Sequence, residues 1–277
     1  MNTLIFDCDG VLSDTERDGH LPAFNQTFRD FGLPVSWSVA DYGEKLRIGG
    51  GKERMASLLT ESFVRAASLP ADRLEQEREV ARWHRRKTEL YRERVLAGEL
   101  PPRPGVRRLI QEALDAGWQL AVASTSAEES VRAVLDVAAG KENAARFAAV
   151  LAGDIVAKKK PAPDIYALAL ARLHASPADT IVIEDSKNGL DAAHALGLTC
   201  IITVNGYTEH EDFGAAALVL DQLGEPGFPL RVLQNRSRAR PVGQLTVPDL
   251  LQCLEAPAAD RHARAPVRKG PSQEEEQ

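Results

Sequence analysis

The sequence predicts an α/β fold: a parallel sheet with helices on both faces, interrupted after its first strand by an inserted α-helical cap. Three observations carry the prediction. From residue 118 to residue 204, short apolar runs alternate with segments of helical period, the pattern of successive βαβ units. The chain opens on another apolar run, Leu4-Ile5-Phe6, which stops at Asp7-Cys8-Asp9-Gly10, as a strand entering a polar, glycine-containing turn does. Between the two, from Trp37 to Leu96, the strand pattern is absent and apolar residues recur at helical spacing.

Taken in order, Leu21, Phe24, Phe28 and Phe31 mark a first helix. Met55, Leu58, Leu59 and Phe63 continue the helical spacing, and residues 74–96 are dense in Glu, Arg and Lys, a solvated helical surface. Pro101-Pro102-Arg103-Pro104-Gly105 marks a boundary. Strands follow at 118–123, 148–151, 180–183 and 199–204, with helices at 127–137, 164–173 and 187–196. Residues 234–240 are polar and basic, and 245–254 suit one last helix. Residues 256–277, rich in Ala, Pro and charge and ending Glu274-Glu275-Glu276-Gln277, are expected to be disordered. The expected organisation is a catalytic core of 1–15 and 99–255, a helical cap of 16–98, and a tail of 256–277.

Composition narrows the class. A hydrophobic fraction of 44% and a charged fraction of 27% suit a soluble globular protein. The net charge of -6 argues against a nucleic-acid binder, which needs excess cations to neutralise phosphates. Local clusters of Lys and Arg still permit a small anionic substrate. Cys8, Cys200 and Cys253 form no CxxC pair, so neither a thiolate metal site nor a disulfide framework is expected. No apolar run spans a bilayer. The chain is expected to be a monomer without membrane or nucleic-acid partners. The expected compartment is the cytoplasm, or the plastid stroma if a transit peptide has been removed.

Polar residues fall just after four predicted strands: Asp7 and Asp9, then Ser124, then Lys160, then Glu184 and Asp185. In a parallel sheet the strand ends share one edge, where ligands bind. Singly, each has an ordinary explanation as a turn residue, a helix cap or a solvated charge. Jointly they compose a site for a phosphate ester. Mg²⁺ favours carboxylate oxygens combined with substrate phosphate oxygens, and Asp7, Glu184 and Asp185 supply the carboxylates. Lys160 can neutralise the transferring group and Ser124 can hydrogen-bond one of its oxygens. Asp7 is the candidate nucleophile, and Asp9, two residues on, the candidate acid and then base.

These stretches resemble the four motifs of the haloacid-dehalogenase superfamily: Asp7-Cys8-Asp9-Gly10-Val11, Ala123-Ser124, Lys160-Pro161-Ala162-Pro163-Asp164 and Ile183-Glu184-Asp185-Ser186. Within it the chain is most similar to CbbY-type sugar-bisphosphate phosphatases, over about residues 3 to 225. That likeness rests on residues 14–20, 48–55, 87–90, 124–126 and 153–156, and the Gly-Gly-Lys-Glu-Arg segment is much more specific to the subgroup than the first motif. The resemblance implies a Rossmann-like core, Mg²⁺ as cofactor, and hydrolysis of xylulose 1,5-bisphosphate, a sugar phosphate substrate. It adds Asp9 to the metal ligands and Thr125 and Ser126 to the substrate contacts. Residues from about 226 onward do not match it.

The cap adds substrate-binding candidates. Gly49-Gly50-Gly51-Lys52 lacks the spaced first glycine, the Ser or Thr and the preceding strand of a P-loop. Gly50 and Gly51 are instead expected to let backbone N–H groups approach a second phosphate, with Lys52 or Arg54 neutralising it. Lys87 joins them through the resemblance alone. Glu16, near the nucleophile turn, is the candidate for sugar hydroxyls. His20 reads as a partly buried surface histidine. Two alternatives share these motifs: a mutase of the β-phosphoglucomutase type, in which the sugar accepts the phosphoryl group, and a non-catalytic binding protein.

Overall fold

The computed structural model describes residues 1–48 and 50–255. The expected disordered tail, 256–277, lies outside the described residues. Among them, seven strands form one sheet in the order β3-β2-β1-β4-β5-β6-β7. They are β1 (Thr3–Phe6), β2 (Gln119–Ala123), β3 (Ala149–Leu151), β4 (Thr180–Glu184), β5 (Thr199–Thr203), β6 (Leu218–Leu220) and β7 (Val232–Asn235). All neighbours run parallel except β6 and β7. The parallel α/β core with a helical insertion is the predicted fold.

Side-chain alternation along the strands divides the interior in two. Leu4, Phe6, Val122, Ile181 and Ile183 point into one apolar cluster. Ile5, Ala121, Ala123 and Val182 point into the other. Because both faces are covered, the parallel strands are mainly apolar rather than alternating. The first face is covered by α6 (Val106–Asp115), α7 (Glu128–Ala139) and α11 (Val247–Leu254), the second by α9 (Asp164–Leu173) and α10 (Lys187–His194). A four-residue helix, α8 (Lys141–Ala144), leads into β3.

Between β1 and α6 come a π-helical turn (Glu16–His20) and five helices. These are α1 (Leu21–Asp30), α2 (Val39–Leu46), α3 (Gly51–Ala56), α4 (Glu61–Ala66) and α5 (Arg73–Leu96). They have a core of their own, in which Phe24, Phe28, Trp37, Tyr42, Met55 and Trp83 pack together. Burying an apolar side chain of this size stabilises by about 1.5–3 kcal/mol, so the insertion has its own source of cohesion. On α5 the buried residues are Val80, Trp83, Lys87, Tyr91 and Val95, one stripe at helical spacing. Asp72 caps it, accepting from the Glu75 N–H at 2.9 Å. The two connections into and out of the cap lie side by side: Ser13 bridges Pro102, and Arg103 N–H donates to Leu12 O at 3.0 Å.

The C-terminal part holds the main departures from expectation. The expected polar, basic stretch at 234–240 begins inside β7, which pairs antiparallel with β6. All four β7 residues are exposed, so an edge strand of this kind leaves no apolar alternation to read. The expected helix at 245–254 starts at Val247, where Thr246 and Asp249 form a reciprocal capping box. No helix among the described residues is long and apolar enough to cross a membrane.

Candidate functional site

Strand register brings the chemistry together. Phe6 lies level with Val122 on one side and Ile183 on the other. One residue later the chain reaches Asp7, beside Ala123 and Glu184. Asp7 N–H extends the ladder to Ile183 O, and Ser124 N–H does so to Leu151 O, both at 2.9 Å. Asp7, Ser124, Glu184 and Asp185 are all buried at this edge.

Lys160 enters from the loop before α9 and ties the acids together. Its Nζ donates to Asp7 Oδ1 and Glu184 Oε1, each at 2.6 Å, and to Ala123 O at 3.0 Å. Tyr166 Oη also donates to Glu184 Oε1 at 2.6 Å. Glu184 Oε2 accepts from Asp185 N–H at 3.1 Å and from Ser186 Oγ at 3.2 Å. Asp185 Oδ2 accepts from Asn205 Nδ2 at 2.7 Å. Asp7 Oδ2 and Asp185 Oδ1 have no protein donor among the described residues, so they are the oxygens open to a further ligand.

The electrostatics call for a cation. Asp7, Glu184 and Asp185 bring carboxylate oxygens within 4.8 Å of one another, and Lys160 alone contacts two of the three acids. Burial, partly offset by Lys160, pushes the Asp7 carboxyl up to about 8, with Glu184 and Asp9 adding to the rise. Burial and the negative charges of Glu184 and Asp7 push Asp185 well up. Burial works to raise Glu184 too, but Lys160 and the Tyr166 hydroxyl outweigh it and hold this carboxyl low. Burial would lower Lys160, yet Asp7 and Glu184 keep it firmly protonated. Excess negative charge out of water is costly unless compensated. An all-oxygen donor set of this kind suits a hard divalent cation.

Asp9 faces elsewhere. Its Oδ1 accepts from Thr15 Oγ1 at 2.5 Å, and its Oδ2 accepts from Ser126 Oγ. Asp9 was expected among the metal ligands, but its side chain is outside the group formed by Asp7, Glu184 and Asp185, and its two oxygens are set by hydroxyl donors from both sides. Such a carboxyl is placed to exchange a proton. Ser124 Oγ accepts from Ser126 N–H at 3.1 Å and does not cap α7, whose first turn lacks a side-chain cap. Thr125 is half-buried in the same turn.

The cap candidates separate. Arg54 Nη1 contacts Tyr42 Oη at 3.0 Å and lies 3.7 Å from Glu16 Oε2, while Tyr42 Oη donates to Glu16. Lys87 is buried, and its Nζ donates to His20 Nδ1 at 2.8 Å. His20 Nε2 then stands 3.8 Å from Asp9 Oδ1, and its ring stacks on Tyr91. Burial brings Lys87 down to about 8 and, with the Lys87 and Arg54 charges, lowers His20. Lys52 is exposed and makes no ion pair among the described residues. It lies two positions from Arg54 on α3, and residues so spaced do not share a helix face. Gly50 precedes that helix with φ 96°, a conformation suited to glycine. Gly51 packs near His84 and Phe24.

Residues 1–197 match the family model for haloacid dehalogenase-like hydrolases. The chain belongs to this family. A CBBY-like protein of Arabidopsis thaliana is 46% identical over 225 residues, 81% of this chain and 70% of the relative. Protein CbbY of Cereibacter sphaeroides is 41% identical over 227 residues, 82% of this chain and 94% of its own length. The crystal structure of a CbbY mutant from Rhodobacter sphaeroides in complex with xylulose 1,5-bisphosphate is 40% identical. It aligns with TM-score 0.68, covering 80% of this chain and 95% of that one.

Several residues that shape this hydrolase site were not singled out from the sequence: Thr15, Tyr42, Tyr166, Asn205 and Arg103. His20, read as a partly buried histidine, is 12% exposed, and its link between Lys87 and Asp9 was not foreseen. Arg103 is the least obvious. Its guanidinium donates to Gly10 O, to Thr203 O at 3.0 Å, to Val204 O at 2.6 Å and to Asp221 O at 2.7 Å. It thereby fastens the turn after β1 to the end of β5. The one available signal was a charged residue inside a proline-rich boundary.

Close packing behind the acids yields a test of stability. A Cβ on Gly189 would fall 1.9 Å from the Glu184 carboxyl carbon. Gly189→Ala must therefore displace that carboxylate from Lys160 or shift α10. Overpacking of this kind costs about 1–3 kcal/mol. The expected result is a lower thermal midpoint together with loss of activity. An unchanged midpoint and unchanged turnover would show that Glu184 is free to move.

Proposed function

We propose that the chain is a Mg²⁺-dependent phosphatase that removes one phosphate from a sugar bisphosphate, with xylulose 1,5-bisphosphate as its substrate, through a phosphorylated Asp7. The carrying observation is the buried Asp7–Lys160–Glu184 arrangement, with Lys160 Nζ at 2.6 Å from both acids. The substrate class is supported by the bound ligand of the related CbbY crystal structure.

The steps follow from the side chains. An Asp7 oxygen attacks phosphorus in line, and the bond to the sugar oxygen breaks. Asp9, in its protonated form, gives its proton to that oxygen as it leaves. Asp9, now a carboxylate, takes a proton from a water that attacks the same phosphorus. The bond to Asp7 breaks and inorganic phosphate is released. Asp7, Glu184 and Asp185 would hold the Mg²⁺, which would supply positive charge for the phosphate oxygens. Lys160 balances charge on Asp7 and the transferring group, and Ser124 is placed for a hydrogen bond to it. On this reading the Asp9 carboxylate, held by Thr15 and Ser126, serves proton transfer and lies outside the metal-binding group.

The distal phosphate is assigned to the cap, chiefly to Arg54 and Lys87, with Glu16 contacting hydroxyls. The exposure of Lys52 gives it a lesser share than the sequence suggests. Phosphate release should be measured across pentose and hexose mono- and bisphosphates. Loss of one charged hydrogen-bond partner costs about 1.5–3 kcal/mol, roughly ten- to a hundred-fold. The bisphosphate is thus expected to lead its monophosphate by at least about tenfold in kcat/KM. Arg54→Ala should remove most of that lead and Lys52→Ala little of it. Equal hydrolysis of both substrates would defeat the distal-phosphate assignment. Isomerised sugar phosphate without net phosphate release would indicate the mutase, and neither product a binding protein.

A further inference from the structure

The loop after β5, residues 205–208, is organised by one amide side chain. Asn205 Oδ1 accepts from Tyr207 N–H at 2.9 Å. Thr208 Oγ1 accepts from Asn205 N–H at 3.1 Å, and Thr208 N–H returns to Asn205 O at 3.1 Å. With its oxygen pinned inside this turn, the amide has its Nδ2 directed outward, to Asp185 Oδ2 at 2.7 Å. The carboxylate is confined from the other side as well. A Cβ on Gly10 would lie 2.0 Å from Asp185 Oδ2 and 2.8 Å from Asn205 Nδ2. Asp185 is therefore wedged between the nucleophile turn and this loop.

Two residues further on, the same loop reaches the cap. The Tyr207 ring meets Tyr42 edge to face, with centroids 5.9 Å apart and planes at 77°. It also lines the backbone at Gly43, where an added Cβ would be 3.4 Å from the ring. Tyr42 in turn holds Glu16 and Arg54. Tyr207 Oη is buried without a hydrogen-bond partner among the described residues, and its ring packs against the cap.

We propose that Asn205 and Tyr207 form one positioning element, in which Asn205 orients Asp185 for the metal and Tyr207 joins that setting to the cap group that grips substrate. Neither side chain touches the reacting atoms. Asn205 acts through Asp185, as hydrogen-bond partners behind metal-ligating carboxylates do. Tyr207 acts on Asn205 through the hydrogen bond from its own N–H. Any shift of the cap at Tyr42 moves the ring, the turn and the donor to Asp185 together. The inference rests on the metal-dependent reading given above and adds residues which that reading leaves without a role.

Energetic coupling of this kind is established by a mutant cycle rather than by adjacency. The readout is Mg²⁺ affinity of the substrate-free full chain, measured by calorimetry, with thermal midpoints recorded alongside. Asn205→Ser retains an acceptor for the turn but is too short to reach Asp185. It is expected to weaken Mg²⁺ binding about tenfold or more with little change in midpoint. Tyr207→Ala, which contacts no acid, is expected to weaken it about threefold or more. The double variant should be no weaker than Asn205→Ser alone, because both act through one hydrogen bond.

Affinities within twofold of wild type for Asn205→Ser, or no effect of Tyr207→Ala, overturn the proposal. So do two effects that simply multiply. If Asn205→Ser fails to fold, the Tyr207→Ala measurement decides alone, since its half-buried ring lies at the surface of the cap. Wild-type protein that binds Mg²⁺ but releases no phosphate would sink the phosphatase reading and leave this one standing. Wild-type protein that binds no Mg²⁺ would remove both.

Discussion

Asp7→Asn is expected to lower phosphate release by about ten-thousand-fold or more, as loss of a covalent nucleophile does. The shape of the side chain is kept, so the effect isolates the attacking oxygen and one metal contact. The same substitution should stabilise the metal-free protein. The Asp7 carboxyl stands at about 8 in the folded chain against an ordinary 3.8, because of burial and the Glu184 and Asp9 charges. A raised carboxyl contributes stability that is complete below about 3.8 and is lost as pH rises through about 8. The neutral amide escapes this loss. In chelator, the variant should therefore melt above wild type at neutral pH, with the gap widening toward pH 8. Near-normal phosphate release from the purified variant would sink the nucleophile assignment, whatever its stability.

Removal of divalent metal should have an effect of comparable size. In excess chelator, turnover is expected to fall to the baseline and to return on addition of Mg²⁺. Without the cation, Asp7, Glu184 and Asp185 face an anionic substrate with only Lys160 in contact with Asp7 and Glu184. A ligand that binds only the folded state stabilises it, by about 2.7 kcal/mol at a hundred times its Kd. Mg²⁺ should accordingly raise the thermal midpoint of the substrate-free protein, and Asp7→Asn should blunt that rise. Full activity in excess chelator would point to chemistry without a metal.

The core was legible because both its fold and its chemistry are local in sequence. Strands β1, β2 and β4 are buried apolar runs, and a candidate site residue follows each: Asp7 after Phe6, Ser124 after Ala123, Asp185 after Glu184. What escaped was set by contacts distant in sequence. Tyr166 reads as one more apolar residue of a helix, and only the fold shows its hydroxyl on Glu184. Asn205-Gly206 reads as an ordinary turn, although its amide lies against an acid twenty positions earlier. Arg103 finds its carbonyl partners 93 and 118 positions away. Lys87 was readable in part, since it occupies the buried stripe of α5 between Trp83 and Tyr91. A lysine on such a stripe calls for a partner, and His20 provides it. Strand β7 left no trace because its side chains are exposed and only its backbone is paired.

The pairing of the two cap connections has a mechanical consequence. Ser13 bridges Pro102 and Leu12 bonds Arg103, while the Arg103 side chain is anchored on four backbone carbonyls. Two joined tethers resist sliding and twisting, and leave one soft rotation about an axis through the ribbon. Displacement in such a rotation grows with distance from the pivot. Glu16 and His20 follow the first tether within a few residues, so they travel little as the cap swings. A rotation of this kind would leave Thr15 and His20 close to their places around Asp9.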